Sequence, residues 1–326
     1  MKLIQSISIL FLAALMAFAG CSSGTDAKSN GASLAAFSGG TSGLVLTFSD
    51  NAPPAKILDN GKQPFNVFVL VENKGEYDIA QGQANVVISG ISPQEYNLLE
   101  TSKPVSPLNG VTKKGTQTIA GKKTQISFTA LKYLSDIVSG TTSATLYANV
   151  CYTYKTYAVA EMCVSENPGA VIDTKAKVCD VDGTKKFSSS GAPVQIQNVK
   201  QTSQGEGSIE LQFDIVTTTK STGSVYKVGS IDAECKINGA SLTSADAQLE
   251  KDKVRYTVDT GIPGLNCEGT NTNTNEAYLV AGKATVSCVQ NTKGQGDDYV
   301  RQYKVLLEYD YFDRISKTVS IEHVGK

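Results

Sequence analysis

Ser208-Ile209-Glu210-Leu211-Gln212-Phe213-Asp214-Ile215 is the stretch on which the fold reading turns. Ile209, Leu211, Phe213 and Ile215 occupy every second position, and polar residues fill the gaps. Successive side chains of a strand point to opposite faces. This alternation therefore describes a strand with one face on a core and Glu210, Gln212 and Asp214 in water. Phe65-Asn66-Val67-Phe68-Val69-Leu70-Val71-Glu72 is a more apolar strand of the same kind. It runs into Asn73-Lys74-Gly75, a turn signal, and a further strand follows at 84–88.

The second half of the chain repeats this plan. Strand 209–216 leads into a turn at 217–223 and an extended segment at 224–231. Each half closes on a pattern that reads as a hairpin. One spans 146–164, with Tyr152-Thr153-Tyr154 before a turn near Tyr157; the other spans 303–321, with Tyr309-Asp310-Tyr311 before its turn. Helix signals are few. Ser92-Pro93-Gln94-Glu95 is a capping box that predicts a short helix through Leu99, and 244–250 predicts another turn or two. Residues 131–138 fit either helix or strand. Many short strands with Gly-rich turns describe an all-β chain of two β-sandwich domains, 36–174 and 192–326, joined by segment 175–191.

The N-terminus carries a separate message. Met1-Lys2 is basic, 3–18 is a short and mostly apolar stretch, and Ala19-Gly20 places two small residues before Cys21. A short apolar segment of this kind is an export signal rather than a membrane span. A thiol directly after it is what lipid attachment requires. The expectation is a lipoprotein signal peptide at 1–20 with lipidation at Cys21. Residues 21–35 are small and polar and read as a flexible tether; ten such residues reach roughly 15–20 Å. One acyl chain binds only marginally, so stable anchoring needs at least two. The expected location is extracytoplasmic, lipid-anchored to the cell membrane or cell surface.

Net charge is near zero, with 30 Lys and Arg against 31 Asp and Glu, and no basic block points to nucleic acid. Apart from Cys21 there are six cysteines: Cys151, Cys163, Cys179, Cys235, Cys267 and Cys288. An even number in an exported chain reads as three disulfides. Three lie in each half, so either one bridge crosses between halves or two thiols stay free. Cys151 and Cys163 flank the first hairpin turn and are expected to pair. Cys267 and Cys288 flank a longer loop, and elimination leaves Cys179 with Cys235. No C-x-x-C pair exists, and His323 is the only histidine, so neither a metal nor a cofactor is expected.

His323 lies three residues from the C-terminus in a strand pattern, where a surface or edge position is the default. Asp180-Val181-Asp182-Gly183 resembles half of a calcium loop, but Lys185-Lys186 would repel a cation, which leaves a plain turn. Gly294-Gln295-Gly296-Asp297-Asp298 reads as a hairpin loop. Tyr147, Tyr152, Tyr154, Tyr157, Tyr303, Tyr309 and Tyr311 cluster on the two closing segments, where packing is favoured over an exposed binding face. No catalytic residues emerge.

The strand opening at Phe65 and running into Val71-Glu72-Asn73-Lys74-Gly75 resembles the strand, Asn-x-Gly, strand core of immunoglobulin-like modules in archaeal and bacterial surface proteins. Further stretches carry the likeness: Asn51-Ala52-Pro53-Pro54, Cys151-Tyr152-Thr153-Tyr154-Lys155-Thr156, Lys177-Val178-Cys179, Gly191-Ala192-Pro193-Val194 and Glu308-Tyr309-Asp310-Tyr311. Together they are similar to poorly characterised exported lipoproteins with tandem immunoglobulin-like (CARDB-like) domains. The second half has Thr218-Thr219 near the place of the Asn. The resemblance implies tandem immunoglobulin-like sandwiches and an adhesion or envelope-scaffold role, with no catalytic residues. The expected function is that of a non-enzymatic cell-surface lipoprotein. It would hold the membrane through its N-terminal lipid and contact an envelope protein or glycan, not nucleic acid. The alternative is a ligand-binding lipoprotein for solute capture or sensing, for which the sequence lacks the long amphipathic helices of a two-lobed βαβ fold.

Overall fold

A computed structural model describes residues 37–168, 178–218, 223–267 and 274–324. The signal segment 1–20, Cys21 and the tether 21–35 lie outside the described residues. Strands dominate, several antiparallel sheets form, and one short α-helix, Ala245–Glu250, is present among the described residues. The all-β sandwich class is borne out.

Two strands of 24 residues each, Thr141–Val164 and Tyr299–Glu322, organise the molecule. They pair antiparallel from end to end, Tyr299 opposite Val164 and Glu322 opposite Thr141. At about 3.3–3.4 Å per residue each would extend roughly 80 Å. They replace the two expected hairpins. The reason is visible in the side chains. Tyr152, Tyr154, Thr156, Ala158 and Ala160 are all buried, so the alternation passes through the supposed turn near Tyr157 without changing phase. Neither Lys155-Thr156-Tyr157 nor Phe312-Asp313-Arg314 offers the Gly, Pro or Asn that a tight hairpin turn uses. The two Tyr-x-Tyr motifs stand opposite one another, Tyr154 facing Tyr309 and Tyr152 facing Tyr311.

The long pair is the centre of a nine-stranded sheet. Lys253–Asp259, Ser224–Tyr226 and Lys56–Leu58 flank Tyr299–Glu322, and Ala84–Ser89 and Phe187–Ser189 flank Thr141–Val164. Two smaller sheets cover the core face of this ribbon. Leu44–Phe48, Phe65–Asn73 and Lys123–Leu131 form the first. The second centres on Val194–Ser203, Ser208–Thr217 and Lys283–Asn291. Tyr152 meets the first small sheet at Leu44 N, and Thr156 meets the second at Val194 O.

The two sandwiches therefore share one sheet, and the described residues form one compact unit. Described residues from both expected bodies, 36–174 and 192–326, thus contribute strands to that sheet. The described part of segment 175–191 is sewn onto the ribbon, with Phe187–Ser189 paired to Ala158–Ala160. The repeated plan itself is real. In each half a small-sheet strand, Phe65–Asn73 or Ser208–Thr217, is followed by a strand that crosses to the large sheet.

Ile209, Leu211, Phe213 and Ile215 are buried as the alternation requires, with Phe213 edge-on to Tyr256 at 6.3 Å. The opposite face is drier than expected. Asp214 is buried and accepts hydrogen bonds from Thr285 Oγ1 (2.6 Å) and Asn198 Nδ2 (2.7 Å), with Lys283 Nζ at 2.9 Å. Asn198 reaches it from a bulge between Gln197 and Lys200, at φ 52°. Burial pushes the Asp214 carboxyl up, but these donors outweigh it and hold it below its ordinary value. The helix expected at 92–99 is a single turn. Ser92 does cap it, accepting from Glu95 N at 3.4 Å, but Asn97 at φ 51° ends the helical path. Ala245–Glu250 forms as expected, with Ser244 Oγ accepting from Ala247 N.

Phe213→Ala should cost roughly 3–5 kcal/mol, as other large-to-small core changes do. Gln212→Ala, on the half-buried polar face, should cost less than about 0.5 kcal/mol. Denaturant curves showing equal costs would place the strand in the wrong register. Asp214 generates a pH prediction. A carboxylate whose folded pKa lies below its unfolded value, about 3.9, adds stability above that value and loses it as pH falls through the folded one. The urea midpoint of the wild type should thus fall more steeply below pH ~4 than that of Asp214→Asn. Parallel acid limbs would exclude this role.

Candidate functional site

All six predicted cysteines are in disulfides, paired Cys151–Cys235, Cys163–Cys179 and Cys267–Cys288. The third pair matches expectation: Cys267 and Cys288 are direct cross-strand neighbours. The other two are corrected. Cys151 and Cys163 lie on one continuous strand, 12 positions apart, roughly 40 Å at strand rise, far beyond disulfide reach. The parity argument holds, because Cys151–Cys235 is the bridge that crosses between the halves. Cys235, at φ 55°, sits in a turn whose Asp232 carboxylate accepts from Glu234 N and Lys236 N.

The tyrosines divide as the packing reading holds. Tyr152, Tyr154, Tyr303, Tyr309 and Tyr311 are buried, while Tyr157 is 41% exposed. Rings 152, 154, 309 and 311 form a contiguous group with centroids 5.5–6.5 Å apart. Tyr154 Oη donates to Asn73 Oδ1 (3.2 Å), and Asn73 Nδ2 donates to the carbonyls of Tyr77 and Leu108. Asn73 Oδ1 also accepts from Gly75 N at 3.1 Å. A Cβ on Gly75 would collide with the Tyr154 hydroxyl and with the Gly191 and Ser42 carbonyl oxygens. The Asn-x-Gly motif is thus a buried brace, not a ligand site.

Asp182, in the half calcium loop, spends its carboxylate on Ser203, accepting from its backbone N at 2.6 Å and its hydroxyl at 3.4 Å. His323 is more informative. Lys56–Leu58 runs parallel to Ser320–Glu322, which brings the next residue on each strand, Asp59 and His323, side by side. Asp59 is fully buried. Its Oδ2 lies 2.8 Å from His323 Nδ1 and accepts from Ile137 N at 3.2 Å, and its Oδ1 accepts from Val324 N at 3.0 Å. Burial would raise this carboxyl, but the Val324 N–H, the His323 ring and the Ile137 N–H hold it below the usual range. Asp136, 53% exposed at its side chain, places Oδ1 3.6 Å from His323 Nδ1 and accepts there from Asn60 Nδ2 at 3.1 Å. Among the described residues this is the one group of three His, Cys, Asp or Glu whose donor atoms all lie within 4.8 Å of one another. Sequence reading missed it because Asp59 and His323 are 264 positions apart.

A cleft of about 200 Å³, which none of Asp59, Asp136 and His323 lines, opens between the 90–96 turn and the start of the long strand at Thr142–Ala144, with Ile321 and Tyr133 in its walls. Glu95 accepts from Ser135 Oγ at 2.8 Å, and Tyr96 meets Tyr133 edge-on at 5.2 Å. Burial, with help from nearby Tyr133 and Glu95, pushes the Tyr96 hydroxyl up to about 12. The cleft is smaller than the roughly 300–1,000 Å³ of ordinary small-molecule sites. An imidazole oriented by a buried carboxylate is half of a general-base pair. Among the described residues its ring bonds Asp59, and no serine, threonine or cysteine is bonded to it.

No family model matches the sequence, and no curated protein matches it significantly.

Peptide mapping without reduction should recover Cys151–Cys235 and Cys163–Cys179. Replacing Cys151 and Cys235 together by serine should cost about 2–5 kcal/mol, the usual loss for a native disulfide. A map linking Cys151 to Cys163 would overturn the continuous strand.

Proposed function

We propose that this chain is a non-enzymatic surface lipoprotein, a scaffold or adhesion module of the cell envelope that acts through protein or glycan contacts. The observation that carries this reading is the ribbon of two 24-residue strands shared by both sandwiches, with two disulfides rooted on its first strand and a third inside the second small sheet. Disulfides persist in oxidising, extracytoplasmic compartments. Tyrosines, a residue type that often serves ligands, are committed here to internal contacts in the group around Tyr154 and Tyr309. The small volume of the cleft favours a scaffold over solute capture, the second reading. No helix among the described residues is long and apolar enough to cross a membrane. In this reading the lipid on Cys21 supplies attachment. Contacts by strand addition would use outer strands such as Ser102–Pro104 or Thr274–Tyr278.

Cys21→Ser removes the sulfur that would carry the lipid. The wild type should fractionate with membranes and require detergent for release, and the variant should be soluble once exported. Equal retention of both without detergent would end the lipid-anchor reading. Cross-linking on intact cells, with the lipidated protein as bait, should capture an envelope protein or glycan. Saturable binding of a small solute that is blocked by filling the cleft, for example with Ser143→Trp, would favour the second reading instead.

A further inference from the structure

We propose that Asp59, Asp136 and His323 form a binding site for a divalent transition-metal ion of the zinc class. The three donors come from three separate segments: the residue after Lys56–Leu58, the loop before the first long strand, and the end of the second. Two carboxylate oxygens with an imidazole nitrogen suit zinc and its neighbours, whereas calcium and magnesium prefer oxygen alone. The charge balance points the same way. Two carboxylates face one imidazole, and among the described residues neither Asp59 nor Asp136 makes an ion pair with a lysine or arginine. Asp59 bears its share of that charge out of water. A divalent cation would neutralise it.

The outer contacts are those of a supported site. Val324 N–H and Ile137 N–H fix both oxygens of Asp59, and the Asn60 amide fixes Asp136. Such second contacts orient ligands and tune affinity. Asp136 and His323 are partly exposed, so an ion has a route in and a water a place at an open corner. Metal–ligand bonds of about 2.0–2.2 Å in a tetrahedron put donors about 3.4 Å apart. The Asp136–His323 separation of 3.6 Å already fits, and the Asp59–His323 separation of 2.8 Å must open slightly. With Asp59 ionised, Nδ1–H donates to it. On binding, the Nδ1–H bond breaks and the nitrogen lone pair binds the metal; a neutral ring takes up a proton at Nε2 as it loses the one at Nδ1, which exchanges the tautomer with no net release, whereas a ring already protonated at Nε2 gives its Nδ1 proton to solvent. The competing reading is a hydrogen-bonded brace for the C-terminal strand. A brace needs Asp59 and His323 but not Asp136.

His323 is the only histidine in the chain, so its imidazole gives a single set of ¹⁵N resonances. The full chain, purified without a histidine tag and stripped with chelator, is titrated with zinc chloride. One equivalent should bind and shift the Nδ1 resonance, and magnesium at the same concentration should leave it in place. Asp136→Asn, which removes a ligand, should weaken zinc binding by more than the roughly 10–100-fold that loss of an outer contact costs, while leaving the metal-free melting temperature unchanged. His323→Ala should abolish binding. If His323→Ala fails to fold, the more exposed Asp136→Asn decides alone. An unmoved Nδ1 signal at saturating zinc, or equal affinity in Asp136→Asn and wild type, would overturn the site. Neither result bears on whether Cys21 carries a lipid.

Discussion

The register between Thr141–Val164 and Tyr299–Glu322 is the constraint on which everything else rests. A strand slipped by one residue turns every core side chain to the opposite face. Here a slip would expel ten alternate positions of the first long strand, from Leu146 to Val164, from the core. The tyrosine hydroxyls add a polar lock. Tyr152 Oη accepts from Leu44 N at 3.1 Å, and Tyr309 Oη lies 3.1 Å from Thr156 Oγ1. A buried hydroxyl that loses its partner costs about 1–3 kcal/mol, so the register is specified by hydrogen bonds as well as by apolar area. On the outer face Lys155, Glu308 and Arg255 align across three strands, with Glu308 bridging the two cations.

The outer face explains why the long strands are buried on more than one side. Cys151 holds the 226–252 excursion against the ribbon through Cys235. Beside it Asp310 accepts from Thr153 Oγ1 at 2.8 Å and Ile231 N at 3.0 Å. Further along, the Gln201 amide bonds both the N–H and the carbonyl of Cys163, standing in for a missing neighbouring strand. These covers keep backbone and side-chain polar groups paired where a bare sheet would leave them to water.

Local periodicity was legible: 65–73 and 208–217 are strands with the expected faces, and Ser244 caps the short helix. Cys267 and Cys288 were paired correctly because their partner strands lie close in sequence. What failed was long-range. The hairpin reading placed turns where apolar alternation continued unbroken, and phase continuity across 152–160 was the overlooked signal. The first two disulfides followed that error. The Asp59–His323–Asp136 group has no local signature, since a parallel pairing between the second strand and the last brings its members together. Asn73 and Gly75 stood out as a turn, but their reason, a buried brace against Tyr154, required the partner sheet.

A strand shared by two sandwiches ties their fates in synthesis. The first long strand emerges well before its partner, so until Tyr299–Glu322 arrives it lacks the neighbour that covers one whole edge. An open edge of that length is a template for unwanted pairing. Neither half completes its large sheet without a strand from the other. Tandem modules are pictured as beads on a string; here the thread runs through both beads.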